Sequence, residues 1–295
     1  MLRTLAIKDR SADRANLLYT FIHLQLGARA ESDHVRLFAA IAKKLDSDFR
    51  LIIADNQFHG FEQQGEVYRL GADNVYREFS GWEVARRFVL EKGLVGRGVF
   101  LSNDTLLRHH VFDAPRVDSF LRAIADSEKV KRSRYLVGEV HDFPCPPPYL
   151  GGSSMKSYVP TMFVYFDADG FRSVPSFTPD VERGFRFALT PNGESVVELT
   201  PQSRSAYMDY LESWLYKPSA GPKWYAHQPL NPKNFDRMKL KLHSIFLEHY
   251  LSQSFVENGG TLVDARVYLK RNPVETLSVY LQRIALYFEM KSRRG

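Results

Sequence analysis

The sequence predicts an α/β protein: a doubly wound, mostly parallel sheet with a helical C-terminal region. Three observations predict it. Short apolar runs rich in branched and aromatic residues recur in the first half, amphipathic stretches with three- and four-residue spacing separate them, and the last third is dominated by the second pattern.

The first run, Leu17-Leu18-Tyr19-Thr20-Phe21-Ile22-His23-Leu24, follows a polar stretch over 8–14 and reads as a buried strand. Ser32 is an N-cap for the helix that follows, in which Val35, Phe38, Ala42 and Leu45 share a face. Phe49-Arg50-Leu51-Ile52-Ile53-Ala54 is a second strand, closed by Asp55-Asn56-Gln57. Val67-Tyr68-Arg69-Leu70 makes a further short strand, and a helix over 81–92 places Trp82, Ala85 and Val89 on one side before Gly93 stops it. Val99-Phe100-Leu101-Ser102 is the next strand and runs into Asn103-Asp104-Thr105. Strands separated by helices imply parallel pairing.

In the second half, Pro144, Pro146, Pro147, Pro148, Gly151 and Gly152 make 143–154 a loop long enough to cover a site. The stretch 158–166 reads as one apolar strand closed by a turn, Asp167-Ala168-Asp169-Gly170. Tyr207, Tyr210, Leu211 and Trp214 mark one amphipathic helix, 237–255 a largely buried one, and Leu277, Tyr280, Leu281, Ile284 and Phe288 a third. Residues 1–143 are expected to form the α/β half and 144–295 the helical half of one continuous globular unit.

With 295 residues, 44% of them hydrophobic, the chain can bury a core and is not a disordered tail. Forty Lys and Arg against 34 Asp and Glu leave +6, which suits a phosphate-bearing ligand or an anionic surface. No stripe of Lys and Arg interleaves with aromatics, so nucleic acid is not an expected partner. The single Cys145 excludes a disulfide scaffold and a cysteine-rich zinc site, and points to a reducing, cytoplasmic setting. No apolar run approaches the ~20 residues of a membrane span. Arg283, Lys291, Arg293 and Arg294 end the last helix with a basic tail, either a solvated terminus or a peripheral contact with the inner face of a membrane.

Ligands of parallel sheets lie at the carboxyl ends of the strands. Two such ends carry an acid beside an amide, Asp55-Asn56 and Asn103-Asp104. Taken with Asp73-Asn74 ahead of a helix beginning Gly81-Trp82, this order resembles the nucleotide-sugar half of a GT-A glycosyltransferase. The resemblance implies that Asp55 and Asn56 recognise the nucleotide base or ribose, and that Asn103 and Asp104 meet the diphosphate, with Asp104 on a divalent Mg²⁺ or Mn²⁺ ion. Asn103 stands where the first acid of the family's Asp-x-Asp is usual. More narrowly, Met155-Lys156-Ser157-Tyr158 leading into Met162-Phe163-Val164-Tyr165-Phe166, followed by Phe246-Leu247-Glu248-His249-Tyr250-Leu251-Ser252 and Gly259-Gly260, is similar to the rhamnan-synthesis type of polysaccharide glycosyltransferase. Lys156 stands where that family has glutamine. The resemblance implies a nucleotide-sugar donor and a glycan or lipid-linked glycan acceptor of the cell envelope. Absence of Gln-x-x-Arg-Trp argues for a single addition per binding event. Asp55 and Asp104 are expected to open onto one cleft.

Inverting transfer needs a base at the acceptor hydroxyl, whereas retaining transfer does not. Glu139-Val140-His141-Asp142 offers three candidates, of which Asp142 with Glu139 behind it is the preferred pair. Glu248 sits in an apolar helical pattern where an unpartnered carboxylate is costly, so it is expected to reach the cleft. Plainer readings stand beside these. The two acid-amide pairs suit turns and helix caps, 139–142 suits a solvated loop, His109-His110 point apart, His243 and His249 do not share a helix face, and Tyr207, Tyr210 and Trp214 suit either core or sugar stacking. The corresponding alternative function is a non-catalytic nucleotide-binding or assembly module.

Overall fold

Every residue of Tyr19–Gln25 (β1) is buried, on both faces of the strand, which is why the run reads as continuously apolar rather than alternating. The computed structural model describes residues 18–25, 31–45, 47–109, 112–142, 149–150, 153–154, 156–179, 185–189, 195–199, 206–217 and 226–269. After β1 come Phe49–Asp55 (β2), Phe61–Gln64 (β3), Val67–Gly71 (β4), Gly98–Asn103 (β5) and Tyr135–Gly138 (β6). Short pieces follow: His141–Asp142 (β7), Tyr149–Leu150 (β8), Ser153–Ser154 (β9) and Ser157–Tyr158 (β10). The last strands are Phe163–Asp167 (β11), Phe185–Leu189 (β12), Ser195–Leu199 (β13) and Thr261–Asp264 (β14).

Eight strands form one mixed sheet in the order β14-β6-β11-β5-β1-β2-β4-β3. β1, β2, β4 and β5 are parallel. β11 pairs antiparallel with both β5 and β6, so β6 and its parallel neighbour β14 run with the main set. β3 closes the other edge antiparallel to β4.

The helices are Glu31–Lys44 (α1), Glu78–Glu91 (α2), Leu106–His109 (α3), Ala114–Lys129 (α4), Ala168–Ser173 (α5), Ala206–Leu215 (α6) and Phe235–Glu257 (α7). They cover both faces of the sheet. Ile22, Leu24, Ile52 and Leu101 pack against Phe79, Trp82 and Val89 of α2 and Leu242 and Leu251 of α7. Phe21, Ile53, Phe100 and Tyr165 pack against Phe38 of α1 and Phe120 and Ile124 of α4. The rings of Phe21 and Phe100 stack at 4.6 Å on that second face.

Two features fix α2. Gly81 allows it to lie on the ends of β1 and β2, because a Cβ there would run into Leu24 and sit 3.3 Å from the Ala54 methyl. The buried Glu83 then clamps the chain beyond α5. It accepts from Arg86 Nε at 2.9 Å, Arg87 Nε at 2.8 Å and the Phe177 N–H at 2.8 Å. Burial acts to raise the Glu83 carboxyl, but these donors outweigh it and hold it below the usual range. Arg86 continues to the carbonyls of Val174 and Pro175.

Several boundaries differ from the sequence reading. α1 begins at Glu31, so Ser32 lies inside it. The apolar stretch 158–166 is not one strand: it breaks at Pro160 and Thr161-Met162 into β10 and β11. Proline brings no N–H to a ladder. Asp167 does not close a turn but caps α5, accepting from Gly170 N at 3.1 Å while also receiving the N–H groups of Arg134 and Tyr135. Within 143–154, β8 and β9 pair antiparallel; residues 143–148 and 151–152 lie outside the described residues. The last third is not wholly helical, since β14 completes the sheet. The helix expected at Leu277 to Phe288 and its basic tail also lie outside the described residues. No described helix is long and apolar enough to cross a membrane.

Gly81→Val should lower the free energy of unfolding by about 1–3 kcal/mol, the usual cost of overpacking a close contact. Urea denaturation checks it, and an unchanged midpoint would mean that α2 does not ride on Leu24 and Ala54.

Candidate functional site

β1, β2 and β5 end together, with Gln25 beside Asp55 and Leu24 beside Asn103. On the face covered by α2 and α7, this end of the sheet opens into a cavity of about 360 Å³. Asn103 and Thr105 line it from the end of β5 and Glu78 from the first turn of α2. His141 of β7 and the 158–162 connector supply another wall, and Tyr210 and Trp214 of α6 a third.

Helix α7 brings the largest share of charge. Lys241, Ile245 and His249, spaced by four, all line the cavity, as does Glu248 beside them. Glu248 belongs to a neighbouring row with Ser244 and Ser252, and each member of that row is bonded inward. Ser244 Oγ donates to Glu78 Oε1 at 3.0 Å, and Ser252 Oγ accepts from Val159 N at 3.0 Å. Between them, Glu248 Oε2 accepts from both Thr161 N at 2.8 Å and Thr161 Oγ1 at 2.9 Å. Both bonds fall on Oε2, which leaves Oε1 for a ligand.

Burial pushes the Glu248 carboxyl above its usual range, against the Thr161 bonds and Lys241, and Glu78 adds to the rise. Burial, helped by Lys241, pushes His249 down to about 3, so its ring is neutral at physiological pH. That ring meets Tyr158 edge-on at 4.5 Å. The Tyr158 and Tyr210 phenols are hydrogen-bonded, and burial raises both. Lys241 Nζ lies 5.9 Å from the centroid of the Trp214 indole.

Of the residues singled out from sequence, Glu248 and Asn103 meet at this cavity. His141, Tyr210, Trp214 and His249 line it too, whereas Asp55, Asn56, Asp104, Glu139 and Asp142 do not. Asp55 is buried and closed: Arg69 pairs with Oδ2 at 2.5 Å, and Oδ1 accepts from Gln57 N at 2.8 Å. Asn56 follows in the same turn, its N–H donating to the Gln25 carbonyl at 3.3 Å. Asp104 is buried in the turn after β5, and Asn103 Oδ1 accepts from Thr105 N at 3.1 Å and Thr105 Oγ1 at 2.6 Å. Both acid-amide pairs are therefore local turns of the kind aspartate and asparagine favour, and Asp55 and Asp104 do not share this cavity. Asp142 is exposed and accepts from Ser157 Oγ at 2.9 Å, while Glu139 pairs with Arg116 at 3.5 Å. The residue of that tetrapeptide on the cavity wall is His141. Glu78, Lys241 and Thr161 were not singled out, and Tyr158 only as the end of the group 155–158. The one available signal was the polar row at 244, 248 and 252 on the buried side of α7.

No protein-family model matches this chain, and no curated protein matches it.

His249 and, on the opposite face, His23 make stability sensitive to acid. Burial, with His34 beside it, pushes His23 to about 3. Both rings are neutral in the folded chain, whereas the unfolded chain takes up a proton at each below about 6.5. Stability should therefore fall as pH drops from about 6.5 towards 3, by up to about 1.4 kcal/mol per pH unit for each ring. Urea midpoints at pH 7 and pH 5 measure this. His249→Phe should reduce the loss; an identical loss in the variant would mean that His249 is protonated in the folded chain.

Proposed function

We propose that the cavity holds a sugar ring and that the protein transfers a glycosyl group from a nucleotide-sugar donor to a hydroxyl of a cell-surface polysaccharide or its lipid-linked precursor. The reading rests chiefly on Glu248, a carboxylate fixed by two bonds to Thr161, with an oxygen left to accept from a ligand hydroxyl, at the strand ends of an α/β sheet. Tyr158, Tyr210 and Trp214 add aromatic surface for the apolar face of a sugar ring, and Asn103 an amide. The charge balance supports the same choice. Glu78 and Glu248 face Lys241, and His249 is neutral, so the wall has no net positive charge to draw a diphosphate and suits an uncharged, hydroxyl-rich ring. A mostly parallel sheet with helices on both faces is compatible with the GT-A architecture.

A divalent ion at the turn after β5 does not fit the residues there. Asn103 Oδ1 is engaged by Thr105, Asp104 is off the cavity wall, and among the described residues no group of three His, Cys, Asp or Glu side chains is placed to hold a metal. No step here runs through Mg²⁺ or Mn²⁺. The bonding of Asp55 within the fold favours the competing reading, a non-catalytic module, and the same assay separates the two.

Nucleoside diphosphate released from a panel of uridine-, guanosine- and thymidine-diphosphate sugars, with a glycan acceptor present, should be detectable for the wild-type protein. Glu248→Gln should lower kcat/KM by about 10- to 100-fold, since a hydrogen bond to a charged group contributes about 1.5–3 kcal/mol. A protein inert towards every donor would be the module instead.

A further inference from the structure

The turn between α4 and β6 lies at the end of the sheet where β5 begins, opposite the cavity, since β11 sets Phe166 against Leu136 and Asp167 against Gly98. It reads Lys129-Val130-Lys131-Arg132-Ser133-Arg134, and all six residues are exposed. Four of them are cations. Among the described residues none of the four makes an ion pair, whereas Arg97 and Arg172, at the same end of the sheet, hold Glu128 and Asp169, each at 3.3 Å. The acids nearest the turn are Asp126 and Glu128 of α4 and Glu257 of α7. Glu128 is taken up by Arg97 and by the Tyr19 hydroxyl at 3.5 Å, and Glu257 accepts from Gln253 Nε2 at 2.9 Å. Four cations against Asp126 leave +3.

The backbone holds these charges in unfavourable positions. The Lys131 N–H donates to the Glu128 carbonyl and the Arg132 N–H to the Ser127 carbonyl, both at 2.9 Å, the paired bonds of a Schellman helix end. That motif places one residue in the left-handed region, where glycine is the usual occupant. Here it is Lys131 at φ 51, and Arg134 follows at φ 52. The α4 dipole presents about half a negative charge to this turn, far less than four cations bring. An apolar rim completes the surface. Val130 is 65% exposed within the turn, and the end of α7 that carries Val256, 48% exposed, is joined to it through Arg134, whose Nη1 donates to the Asn258 carbonyl at 3.2 Å. The six residues include no aromatic ring on which a base would stack.

We propose that this turn docks the protein on an anionic lipid surface, with the four cations among the headgroup phosphates and Val130 and Val256 at the boundary with the acyl chains. A lipid surface offers many anions in no fixed geometry, which suits long, unpaired lysine and arginine side chains, and it also takes up aliphatic tips. Docked this way, the cavity at the other end of the strands faces the aqueous phase. Nothing in this docking depends on the glycosyl-transfer reading.

Co-sedimentation of the full chain with phosphatidylcholine vesicles, with and without phosphatidylglycerol, is the test. The wild-type protein should bind only the vesicles that contain phosphatidylglycerol, and should be released at about 1 M salt, where the Debye length falls to about 3 Å. Lys131→Gln and Arg132→Gln should each weaken binding by about fivefold, whereas Lys92→Gln, which removes the same charge elsewhere, should not. Lys131→Gly should weaken binding as much while raising the urea midpoint, because glycine suits the left-handed position. Val130→Ser should weaken binding to the vesicles and leave binding to heparin, a polyanion without acyl chains, unchanged. Equal binding to both kinds of vesicle, or Lys131→Gln and Arg132→Gln proteins that bind like wild type, overturns the docking. A Val130→Ser protein that binds vesicles normally makes the turn a site for polyanions in solution and overturns the lipid assignment.

Discussion

The cavity depends on one contact, the pair of hydrogen bonds from Thr161 to the Glu248 carboxylate. A carboxylate inside an apolar helix is unfavourable unless donors meet it. Here a backbone N–H and a hydroxyl from a single residue meet it at the break between β10 and β11. The break is set by Pro160, so the residue that ends one strand also frees the next residue to hold the helix. Ser244 and Ser252, one turn away on either side, repeat the arrangement against α2 and Val159. Four hydrogen bonds along one row of α7 thus fix its rotation, and that rotation is what brings Lys241, Glu248 and His249 to the cavity.

The opposite wall is fixed by different means. α2 is held by shape at Gly81 and by the Trp82 indole N–H, which donates to the Ser102 carbonyl at 3.0 Å. Farther along, the Glu83 and Arg86 pair ties it to 174–177, and Phe177 and Val174 seal the core beneath. The buried ions of α2 serve the scaffold, and those of α7 serve the cavity. The difference lies in their partners: Glu83 is saturated by guanidinium groups and an N–H, whereas Glu248 keeps an oxygen in reserve.

Much of the scaffold was legible in the sequence because β1, β2 and β5 are buried almost throughout and read as apolar runs, and β4 alternates buried with half-buried residues. β1, β2, β4 and β5 and the helices α2 and α7 follow from that. β3 was not legible: Phe61-Glu62-Gln63-Gln64 is exposed along its length and has no apolar face. β14 is a four-residue edge strand whose pairing with β6 is a long-range contact that no local pattern announces. At the site, Glu248 stood out as a charge in an apolar helix. Asp55 and Asp104 drew attention for the same residue types that make good turns, and the difference between an acid closed by Arg69 and one open to a ligand lies in a partner fourteen residues away that no local pattern announces. His141 and Asp142 are adjacent in sequence, and a two-residue ladder decides which of them faces inward.

The sheet order has a consequence for how the molecule is made. β6 lies between β11 and β14, and β14 follows the whole of α7. As the chain leaves the ribosome, β1 to β5 can pair promptly, but the outer edge of β6 keeps its backbone groups unpaired until residues 261–264 emerge. By then α7 is complete and can lie across the sheet, and the Val140 N–H finds Asp264 in the same event. The connector bearing Glu139 and His141 is therefore locked at the end of synthesis, so that an unfinished chain carries most of the scaffold without a finished cavity.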